Sequence, residues 1–475
     1  MVPDGIDENI RVTGITSDSR DVKQGYLFVA IPGYEKDGHN FIEESISKGA
    51  RVVVVERDVG EKSAPILRVN DTRRVLALLA HRFYGNPSKE LLLVGITGTN
   101  GKTTVSFLLE SILTTGGMET GLMGTMVYRW KDSEETAERT TPGAVDLHRL
   151  LRRMRDDGVE VVVMEVSSHA LALDRVLGMT FRVAVFTNLS RDHLDFHSSF
   201  RDYAETKAKL FGMLSSDGVG IINGDDPAGR QMVREAKGRT VTFGEKARHL
   251  DYRVEGVKEG EGETRFSLVG ERRRVTLSTP LLGKFNAMNA AAAGIAGLEL
   301  GVDEDAVREG LRKVRSVPGR MEGFDSRQGF RVVVDYAHTP DALRCVLVAA
   351  REFTEKRLIV VFGCGGERDR GKRPEMGRIA ASLADVVFIT SDNPRREDPA
   401  VILQDILEGI DSAGKVETVV DREEAIHRAL DRAREGDVVV IAGKGHETYQ
   451  EIGSERISFN DRAVAEAYLG LKEGA

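Results

Sequence analysis

The stretch GITGTNGKTT (95–104) determines how the surrounding sequence is expected to fold. It follows the apolar run LLLVGIT (91–97), which is typical of a buried strand, and it leads into the helical pattern VSFLLESIL (105–113). Glycines, a lysine and a hydroxyl residue between a strand and a helix are typical of loops whose backbone N–H groups hold phosphates. Lys102 can contact the β- and γ-phosphates of ATP, and Thr103 can offer its hydroxyl to Mg²⁺. The sequence therefore predicts an ATP site that works with Mg²⁺.

The loop departs from the common phosphate-loop spacing. The pattern G-x-x-x-x-G-K-[ST] would require glycine at position 96, where the chain has Ile96, and Gly98 follows two places later. A chance Gly-Lys-Thr turn is disfavoured, because strand, loop and helix occur in the required order. We interpret the stretch as a shortened relative of the common loop.

Composition and charge exclude several classes of protein. The chain has 475 residues, 41% hydrophobic and 30% charged, which predicts an ordinary globular protein of about three domains. A net charge of −8 argues against a general nucleic-acid binder. Residues 1–10 lack signal-peptide features, no apolar run reaches the roughly 18 residues of a membrane helix, and Cys345 and Cys364 lack metal or redox spacing. We expect a cytoplasmic monomer without nucleic-acid or membrane partners.

Apolar, β-branched runs alternate with helical patterns, which predicts an α/β fold with largely parallel sheets. Turn-rich junctions near 84–90 and 316–322 divide the chain into units 1–89, 90–317 and 318–475. Within the second unit, antiparallel strands with glycine turns are predicted for the segment DYRVEGVKEGEGETRFSLVGERRRVTLSTP (251–280). We expect its triplet Arg272-Arg273-Arg274 to lie on a solvated strand face. The alanine-rich run 289–301 predicts a packed helix.

Polar residues follow the strands of the second unit. Because ligands of parallel sheets bind beyond the carboxyl ends of the strands, these residues are candidates for a site. Glu165 follows the run VEVVVM (159–164) and can face a metal ion, or alternatively cap the next helix. The segment NLSRDHLDFH (188–197) could bind Zn²⁺ through its aspartates and histidines, although a contact from His193 to Mg²⁺ fits a nucleotide loop better.

Four strands of the third unit are also followed by polar clusters. The clusters are DYAH (335–338), CGGER (364–368), SDNPR (391–395) and KGHE (444–447). Each cluster alone could be turn chemistry. Four polar clusters after four successive strands indicate a second ligand-binding site, at one edge of the third unit's sheet.

Nine segments together resemble the Mur ligases of peptidoglycan synthesis. The segments are GTNGKTT, EVSSHAL, TNLSRDHLDFH, GKFNAMNA, PGRME, DYAHTPDAL, GCGGERDRGKRPEMG, SDNPRREDP and AGKGHE. The resemblance covers nearly the whole chain, and the shortened loop is that family's own form. It implies a UDP-sugar-binding α/β domain at 1–89, a central P-loop ATPase-like domain at 90–317 with a parallel sheet and a small antiparallel sheet, and a Rossmann-like amino-acid-binding domain at 318–475.

The resemblance implies amide formation. ATP would phosphorylate the D-Glu carboxylate of UDP-N-acetylmuramoyl-L-Ala-D-Glu, and an amine would displace the phosphate. The DNPR form (392–395) is associated with meso-2,6-diaminopimelate, whose second carboxylate Arg395 could hold with two parallel bonds. Lysine would leave a buried Arg395 unpaired, which would add to a roughly 10²- to 10⁴-fold preference. The alternatives are an L-lysine-adding form, a folylpolyglutamate-synthetase-like ligase and a non-catalytic nucleotide-binding module.

The resemblance also implies roles for individual residues. Catalytic roles belong to Lys102, Glu165, His193, Lys207, Arg320 and Asp335. ATP contacts belong to Gly98, Thr99, Asn100, Gly101, Lys102, Thr103, Thr104, Asn286 or Asn289, and His338. The Mg²⁺ ligands are Thr103, Glu165, His193 and Lys207, the last as a carbamate. From the sequence alone, Lys207 in YAETKAKLF would be a solvated helix residue.

Substrate contacts follow in the same way. Those to the UDP-N-acetylmuramoyl dipeptide are Ser19, Thr140, Thr141, Ser167 and Arg175. Those to diaminopimelate are Arg368, Asp392, Asn393, Pro394, Arg395, Gly443 and Glu447. The chain departs from some relatives at Tyr34-Glu35-Lys36, where they carry other uracil-contacting residues, and at Leu173, where they carry glutamine.

Overall fold

The computed structural model describes residues 10–33, 36–260, 262–271, 273–411 and 415–471. Segment 1–9, Tyr34, Glu35 and Arg272, on which sequence interpretations fall, lie outside the described residues. No helix in the described ranges is both long and apolar enough to cross a membrane.

The described strands and helices alternate along most of the chain. The strands are β1 (Gly14–Thr16), β2 (Tyr26–Val29), β3 (Val52–Val55), β4 (Ile66–Arg68), β5 (Leu92–Thr97), β6 (Thr120–Met123), β7 (Val127–Trp130), β8 (Ser133–Thr136), β9 (Val161–Glu165), β10 (Phe181–Phe186), β11 (Leu214–Asn223), β12 (Arg239–Gly244), β13 (Tyr252–Gly260), β14 (Glu263–Gly270), β15 (Arg274–Thr279), β16 (Glu322–Asp325), β17 (Arg331–Asp335), β18 (Leu358–Phe362), β19 (Val386–Ile389), β20 (Val416–Thr418), β21 (Val438–Ala442), β22 (Tyr449–Ile452) and β23 (Glu455–Ser458). The helices are α1 (Ile42–Ser47), α2 (Thr72–Phe83), α3 (Lys102–Thr115), α4 (Ala144–Asp156), α5 (Ser168–Ala172), α6 (Phe200–Ala208), α7 (Gly229–Glu235), α8 (Lys284–Glu299), α9 (Glu304–Lys313), α10 (Pro340–Glu352), α11 (Lys372–Leu383), α12 (Pro399–Leu407), α13 (Arg422–Arg432) and α14 (Asp461–Tyr468).

The N-terminal sheet is parallel, in the order β1-β2-β3-β4. Strand β3 has valine at every position, because helix α1 packs on one face of the sheet and α2 on the other. The described sheet reaches the central unit through α2, which packs on α4.

The central sheet runs β15-β14-β13-β12-β11-β10-β5-β9-β6-β7-β8. Its middle strands, from β12 to β6, are parallel. The antiparallel strands predicted in 251–280 are β13 to β15, and β13 joins the edge of the sheet through β12. Arg273 and Arg274 are exposed there, as predicted.

Helices cover both faces of the central sheet. Helices α3, α8 and α9 enclose one core and α4, α6 and α7 the other. The alanine-rich run forms most of α8, and its small side chains are buried, which confirms the predicted packed helix.

The C-terminal sheet runs β16-β17-β21-β18-β19-β20, and β17, β21, β18, β19 and β20 are parallel. Helices α10, α11 and α12 pack on one face and α13 and α14 on the other. Because the strands are parallel, the four polar clusters emerge at one edge of the sheet. The hairpin β22–β23 lies beside them.

Candidate active site

The phosphate loop connects β5 to α3, between parallel neighbours β10 and β9. Gly98 and Gly101 have φ of 149° and 87°, in the region that favours glycine. A Cβ on Gly98 would lie 1.9 Å from Thr187 Oγ1, and one on Gly101 would lie 2.4 Å from Asn289 Oδ1. The shortened loop therefore needs glycine at both places, since neighbouring side chains pack directly against its backbone.

Two lysines converge on the inner side of this loop. The Nζ atoms of Lys102 and Lys207 both donate to the carbonyl of Gly98 at 2.9 Å, and Lys102 also donates to Thr99 O at 2.9 Å. Lys207 is 1% exposed, and its Nζ lies 4.5 Å from the centre of the Tyr203 ring. The expectation of a solvated Lys207 is wrong, because α6 turns this side chain into the core.

Burial, followed by the nearby charge of Lys102, lowers the pKa of Lys207 far below its usual value. The free amine, and not the ammonium, is the form that reacts with carbon dioxide. The surroundings of Lys207 therefore fit carbamylation, which would place a carboxylate behind the phosphate loop.

Glu165 is the last residue of β9 and is 1% exposed. Its Oε2 accepts from the hydroxyls of Thr103 at 3.1 Å and Thr125 at 3.0 Å, and its Oε1 accepts from Thr125 N at 2.9 Å. It does not cap α5, because Ser167 Oγ does so by accepting from Ala170 N. A carboxylate beside hydroxyls provides the oxygen ligands that Mg²⁺ prefers, so Thr103 and Glu165 fit this ion.

The predicted dipeptide residues of the central unit form a cluster next to Glu165. Thr141 Oγ1 donates to Glu165 O at 2.9 Å and lies 3.3 Å from Ser167 Oγ, while Arg175 Nη1 donates to Thr141 O at 3.0 Å. Thr140 Oγ1 lies 3.2 Å from Thr125 Oγ1. These contacts join four of the five predicted residues to the wall of the metal site.

Arg175 and Ser19 differ in their surroundings. Burial, followed by the charge of Arg139, lowers the pKa of Arg175 to about 10, so a bound anion would relieve an unfavourable setting. Ser19 does not line the cavity described below. Its hydroxyl donates to Glu44 at 3.3 Å in the N-terminal unit.

The segment after β10 carries His193 with φ of 55°. Its Nε2 lies 3.3 Å from Asp192 Oδ2, and its ring contacts that of His169 at 4.8 Å between centroids. Burial lowers the pKa of His193 to about 3, which keeps the imidazole neutral. Within the described ranges, no three His, Cys, Asp or Glu side chains are placed to hold a metal ion, so the zinc alternative gains no support.

A cavity of about 360 Å³ joins these features to the third unit. Its predicted lining residues are Thr99, Asn100, Gly101, Lys102, Thr103, Thr104, Thr140, Glu165, Ser167, His193, Asn289, Arg320, Asp335 and His338. Asn286 lies behind Asn289 and accepts from its Nδ2 at 3.0 Å. The structure therefore brings most predicted ATP and catalytic residues to one cleft and distinguishes Asn289, which lines it, from Asn286, which supports it.

Residues of the third unit reach into this cleft. Arg320 Nη2 donates to Thr103 Oγ1 at 3.1 Å, and the Arg320 guanidinium lies 4.7 Å from the centre of the Tyr336 ring. Asp335 accepts from the backbone N–H groups of Met321 at 2.7 Å and Ala337 at 2.8 Å. Burial raises its pKa, and the neighbouring Arg320 opposes the increase. His338 Nδ1 donates to the carbonyl of Tyr336, 2.7 Å away.

The predicted amino-acid residues form a second cluster at the strand ends of the C-terminal sheet. Asn393 Nδ2 donates to Glu447 Oε2 at 3.0 Å, and Lys444 Nζ donates to Asn393 Oδ1 and Glu447 Oε2, both at 2.9 Å. A Cβ on Gly443 would lie 2.5 Å from Asp392 Oδ2, so glycine makes room for that carboxylate.

Arg395 is held from two sides. Its Nη1 donates to Gly366 O at 2.7 Å, and its Nε lies 3.0 Å from Glu451 Oε2. The proposal that lysine would leave Arg395 unpaired is therefore wrong, because the hairpin β22–β23 supplies a carboxylate to this guanidinium. Arg368 lies near it across Gly365, whose Cβ would meet Arg395 Nη1 at 3.2 Å and Arg368 Cγ at 3.7 Å. Pro394 is buried beside them.

Several members of the site were quoted in sequence segments without the contacts that the structure gives them. Asp192 is approached by Lys372 Nζ and His338 Nε2, each at 3.8 Å, and Asn188 holds the phosphate loop through its backbone and side-chain oxygens. Lys444 stood in the quoted KGHE cluster, but only the fold pairs it with Glu447. Their position in the segments that follow predicted strands is the sequence feature that could have identified them as site residues.

Sequence models of three domains match the chain. They are described as Mur ligase family, catalytic domain (residues 11–84), Mur ligase middle domain (96–297) and Mur ligase, glutamate ligase domain (319–445).

Curated relatives and a solved structure match over nearly the full length. A UDP-N-acetylmuramoyl-L-alanyl-D-glutamate–2,6-diaminopimelate ligase of Aquifex aeolicus is 45% identical over 97% of this chain and 94% of its own. The same-named protein of Clostridium botulinum is 42% identical over 96% and 94%. A solved structure of a ligase with this name is 35% identical, with a TM-score of 0.69 over 98% of this chain and 97% of that one.

The fold, the cleft and these matches define the class of protein as an ATP-dependent ligase. Residues of the second and third units line the cleft at the phosphate loop, and Arg320 of the third unit contacts Thr103 there. The chain belongs to the Mur ligase family.

Proposed function

We propose that this protein adds meso-2,6-diaminopimelate to the D-Glu carboxylate of UDP-N-acetylmuramoyl-L-Ala-D-Glu, in the cytoplasm and as a monomer. The observation that carries the proposal is the hydrogen bond from Arg320 to Thr103, which connects the C-terminal unit to the phosphate loop. Relatives at 42% and 45% identity bear the name of this ligase. We assign UDP-sugar binding to residues 1–89, ATP binding to 90–317 and amino-acid binding to 318–475.

Phosphoryl transfer to the carboxylate is the first step. A carboxylate is a poor acyl donor, whereas an acyl phosphate carries a good leaving group. Because ATP and the acceptor are both anionic, Lys102 and Arg320 lower their repulsion and align them, and such positioning dominates phosphoryl transfer. Thr103 and Glu165 would hold one Mg²⁺, and His193 and carbamylated Lys207 another, which supplies further positive charge.

The acceptor lies beside the phosphate loop. The hydroxyls of Thr140, Thr141 and Ser167 lie in the bonded cluster next to Glu165, and the half-buried Arg175 offers a cation to an acidic group of the substrate. Ser19 would contact the nucleotide end from the N-terminal unit. This arrangement supports a long anionic substrate that extends from the N-terminal sheet to the γ-phosphate.

The amine enters from the C-terminal unit. Diaminopimelate carries two ammonium and two carboxylate groups, so it needs both signs of charge in its site. Asp392 and Glu447 can face ammonium groups, and Arg368 and Arg395 can face carboxylates, with Asn393, Pro394 and Gly443 shaping the loop. The amine then attacks the acyl carbon, phosphate leaves, and the nitrogen loses a proton as the amide forms.

Glu451 reduces the expected selectivity for diaminopimelate. Since it occupies the Nε side of Arg395, the second carboxylate can use only the remaining N–H groups. Because Glu451 also offsets the charge of the guanidinium, we count the gain as one charge-assisted hydrogen bond of about 1.5–3 kcal/mol, which corresponds to a roughly 10- to 100-fold preference over lysine in kcat/KM.

The test compares kcat/KM for diaminopimelate and lysine in amine-dependent ADP release. We expect the preference in wild type and its loss in Arg395→Ala, while Arg396→Ala, which changes the exposed neighbour, keeps it. Equal use of lysine by wild type would identify the lysine-adding form. Release of ADP with folate in place of the UDP-muramoyl dipeptide would support the folylpolyglutamate alternative.

A further inference from the structure

The segment after β10 faces the segment before α11 across the boundary between the central and C-terminal sheets. Arg191 donates through Nε to Asp369 Oδ2 at 2.8 Å and through Nη2 to Oδ1 at 3.1 Å, a side-on pair of parallel bonds. The next residue, Asp192, has the opposite charge, and its Oδ1 lies 3.8 Å from Lys372 Nζ. The two surfaces therefore carry complementary charges in matching order.

The carboxylate of Asp369, which binds Arg191, is held in place by the backbone beside it. Asp369 Oδ1 accepts from Gly371 N at 2.9 Å, which fixes the carboxylate before α11 begins. A Cβ on Gly371 would lie 2.3 Å from Arg191 Nη2. Gly371 has φ of −66° and ψ of −16°, a conformation open to any residue, so an added Cβ would act by displacing the guanidinium and not by straining the backbone.

The pair is ionised at neutral pH. Burial alone would raise the pKa of the Asp369 carboxyl, but the bonds from Arg191 outweigh burial and hold that pKa below its usual value. The same pairing raises the pKa of Arg191. Neither residue lines the cleft cavity, so the contact joins the two units outside it.

We propose that Arg191 and Asp369 are positioning residues that clamp the C-terminal unit onto the central unit during ligation. The inference rests on the proposed function, because the clamp holds Arg368, the neighbour of Asp369, and the rest of the amino-acid cluster opposite the phosphate loop. It also joins that cluster to the segment that carries His193. Without the clamp, the amine would approach the acyl phosphate in fewer productive encounters.

The experiment uses Asp369→Asn and Gly371→Ala in the full chain. The first removes the charge that pairs with Arg191, and the second fills the space of its guanidinium while alanine adopts the same backbone conformation. We expect each to lower kcat/KM for the amine about tenfold, which corresponds to about 1.4 kcal/mol. The melting temperature should stay close to that of wild type.

A second readout is the radius of gyration from small-angle X-ray scattering with a non-hydrolysable ATP analogue. We expect a larger radius for both variants than for wild type. The matched control is Asp325→Asn, which removes a similar side-on pair with Arg331 inside the C-terminal unit and should change neither readout.

Wild-type kcat/KM and wild-type scattering in folded Asp369→Asn would overturn the clamp. If Asp369→Asn fails to fold, the same two results in Arg191→Ala, which truncates the exposed partner, decide the question. The scattering comparison needs no amine. Failure of the clamp is therefore distinguishable from failure of the proposed function, in which wild type itself would release no ADP in response to diaminopimelate.

Discussion

Lys102 holds the phosphate loop and is the cation of the proposed ATP site. We expect Lys102→Ala to abolish ligation, because the loop loses both the cation and two hydrogen bonds to its own carbonyls. The matched control is Lys284→Ala, which changes the first residue of α8 as Lys102 is the first residue of α3. Circular dichroism should show an intact fold for both, and appreciable ligation by folded Lys102→Ala would contradict the phosphate site.

Lys207 provides a second prediction for a single residue. We expect Lys207→Ala to be nearly inactive and partly rescued by acetate or formate, which can replace the proposed carbamate in the space behind Gly98. Lys209→Ala, two residues along and exposed, should keep wild-type activity and show no response to these anions. An intact-mass spectrum of active wild type without the carbamate, together with wild-type activity of Lys207→Ala, would exclude the modification.

The surroundings of single residues could be predicted only in part. Glycine at 98 and 101 and the carboxylate at 165 followed from the strand–loop–helix order, which is local. The burial of Lys207 did not, because α6 is polar in sequence and only its packing behind the loop turns this lysine inward. The Arg395–Glu451 pair also depends on the hairpin β22–β23, whose position beside the strand ends no local pattern specifies.

Helices α2 and α4 bury a pair of histidines between the N-terminal and central units. The rings of His81 and His148 lie 4.9 Å apart, and neither ring nitrogen of the fully buried His148 has a hydrogen-bond partner. Burial lowers the pKa of His148 to about 3, and the nearby His81 contributes further. The folded state therefore requires a neutral imidazole at 148.

This pair gives a prediction for the stability of the helix contact. The pKa of His148 in the folded state lies below its ordinary value of about 6.5. Above pH 6.5 the imidazole is neutral in both states, so keeping it neutral costs no stability. As the pH falls from 6.5 towards 3, only the unfolded state takes up the proton, and the free energy of unfolding decreases. At pH 4.5 the loss in the free energy of unfolding is roughly 3 kcal/mol. We expect His148→Leu to raise the melting temperature more at pH 4.5 than at pH 7.

The control for this measurement is His249→Leu, which replaces an exposed histidine. It should leave the pH dependence of the melting temperature unchanged. An identical pH dependence for wild type and His148→Leu would show that the α2–α4 contact does not titrate through this residue.

Element order was more predictable than the contacts between elements. Parallel strands with polar residues at their carboxyl ends follow from short apolar runs and the turns after them, so the edge of the C-terminal sheet was predicted correctly. The sequence did not show that β13 to β15 extend the central sheet, because strand pairing over long separations leaves no local pattern.

At the scale of the whole molecule, the proposed ligation requires all three units to act on one reaction. The central unit supplies the phosphate loop and Glu165, the third supplies Arg320 and the amino-acid cluster, and the first supplies Ser19. The shared cleft explains why a poor acyl donor can react: phosphate, carboxylate and amine are brought together by side chains of opposite charge.

The most direct measurement follows the oxygen of the D-Glu carboxylate. The UDP-muramoyl dipeptide is labelled with ¹⁸O in that carboxylate and incubated with wild type, ATP and meso-diaminopimelate. We predict UDP-muramoyl tripeptide by mass spectrometry and inorganic phosphate that carries one ¹⁸O, because the attacking carboxylate oxygen leaves with the phosphate. Tripeptide formed without transfer of the label to phosphate, or no tripeptide at all, would contradict the proposed ligation through an acyl phosphate.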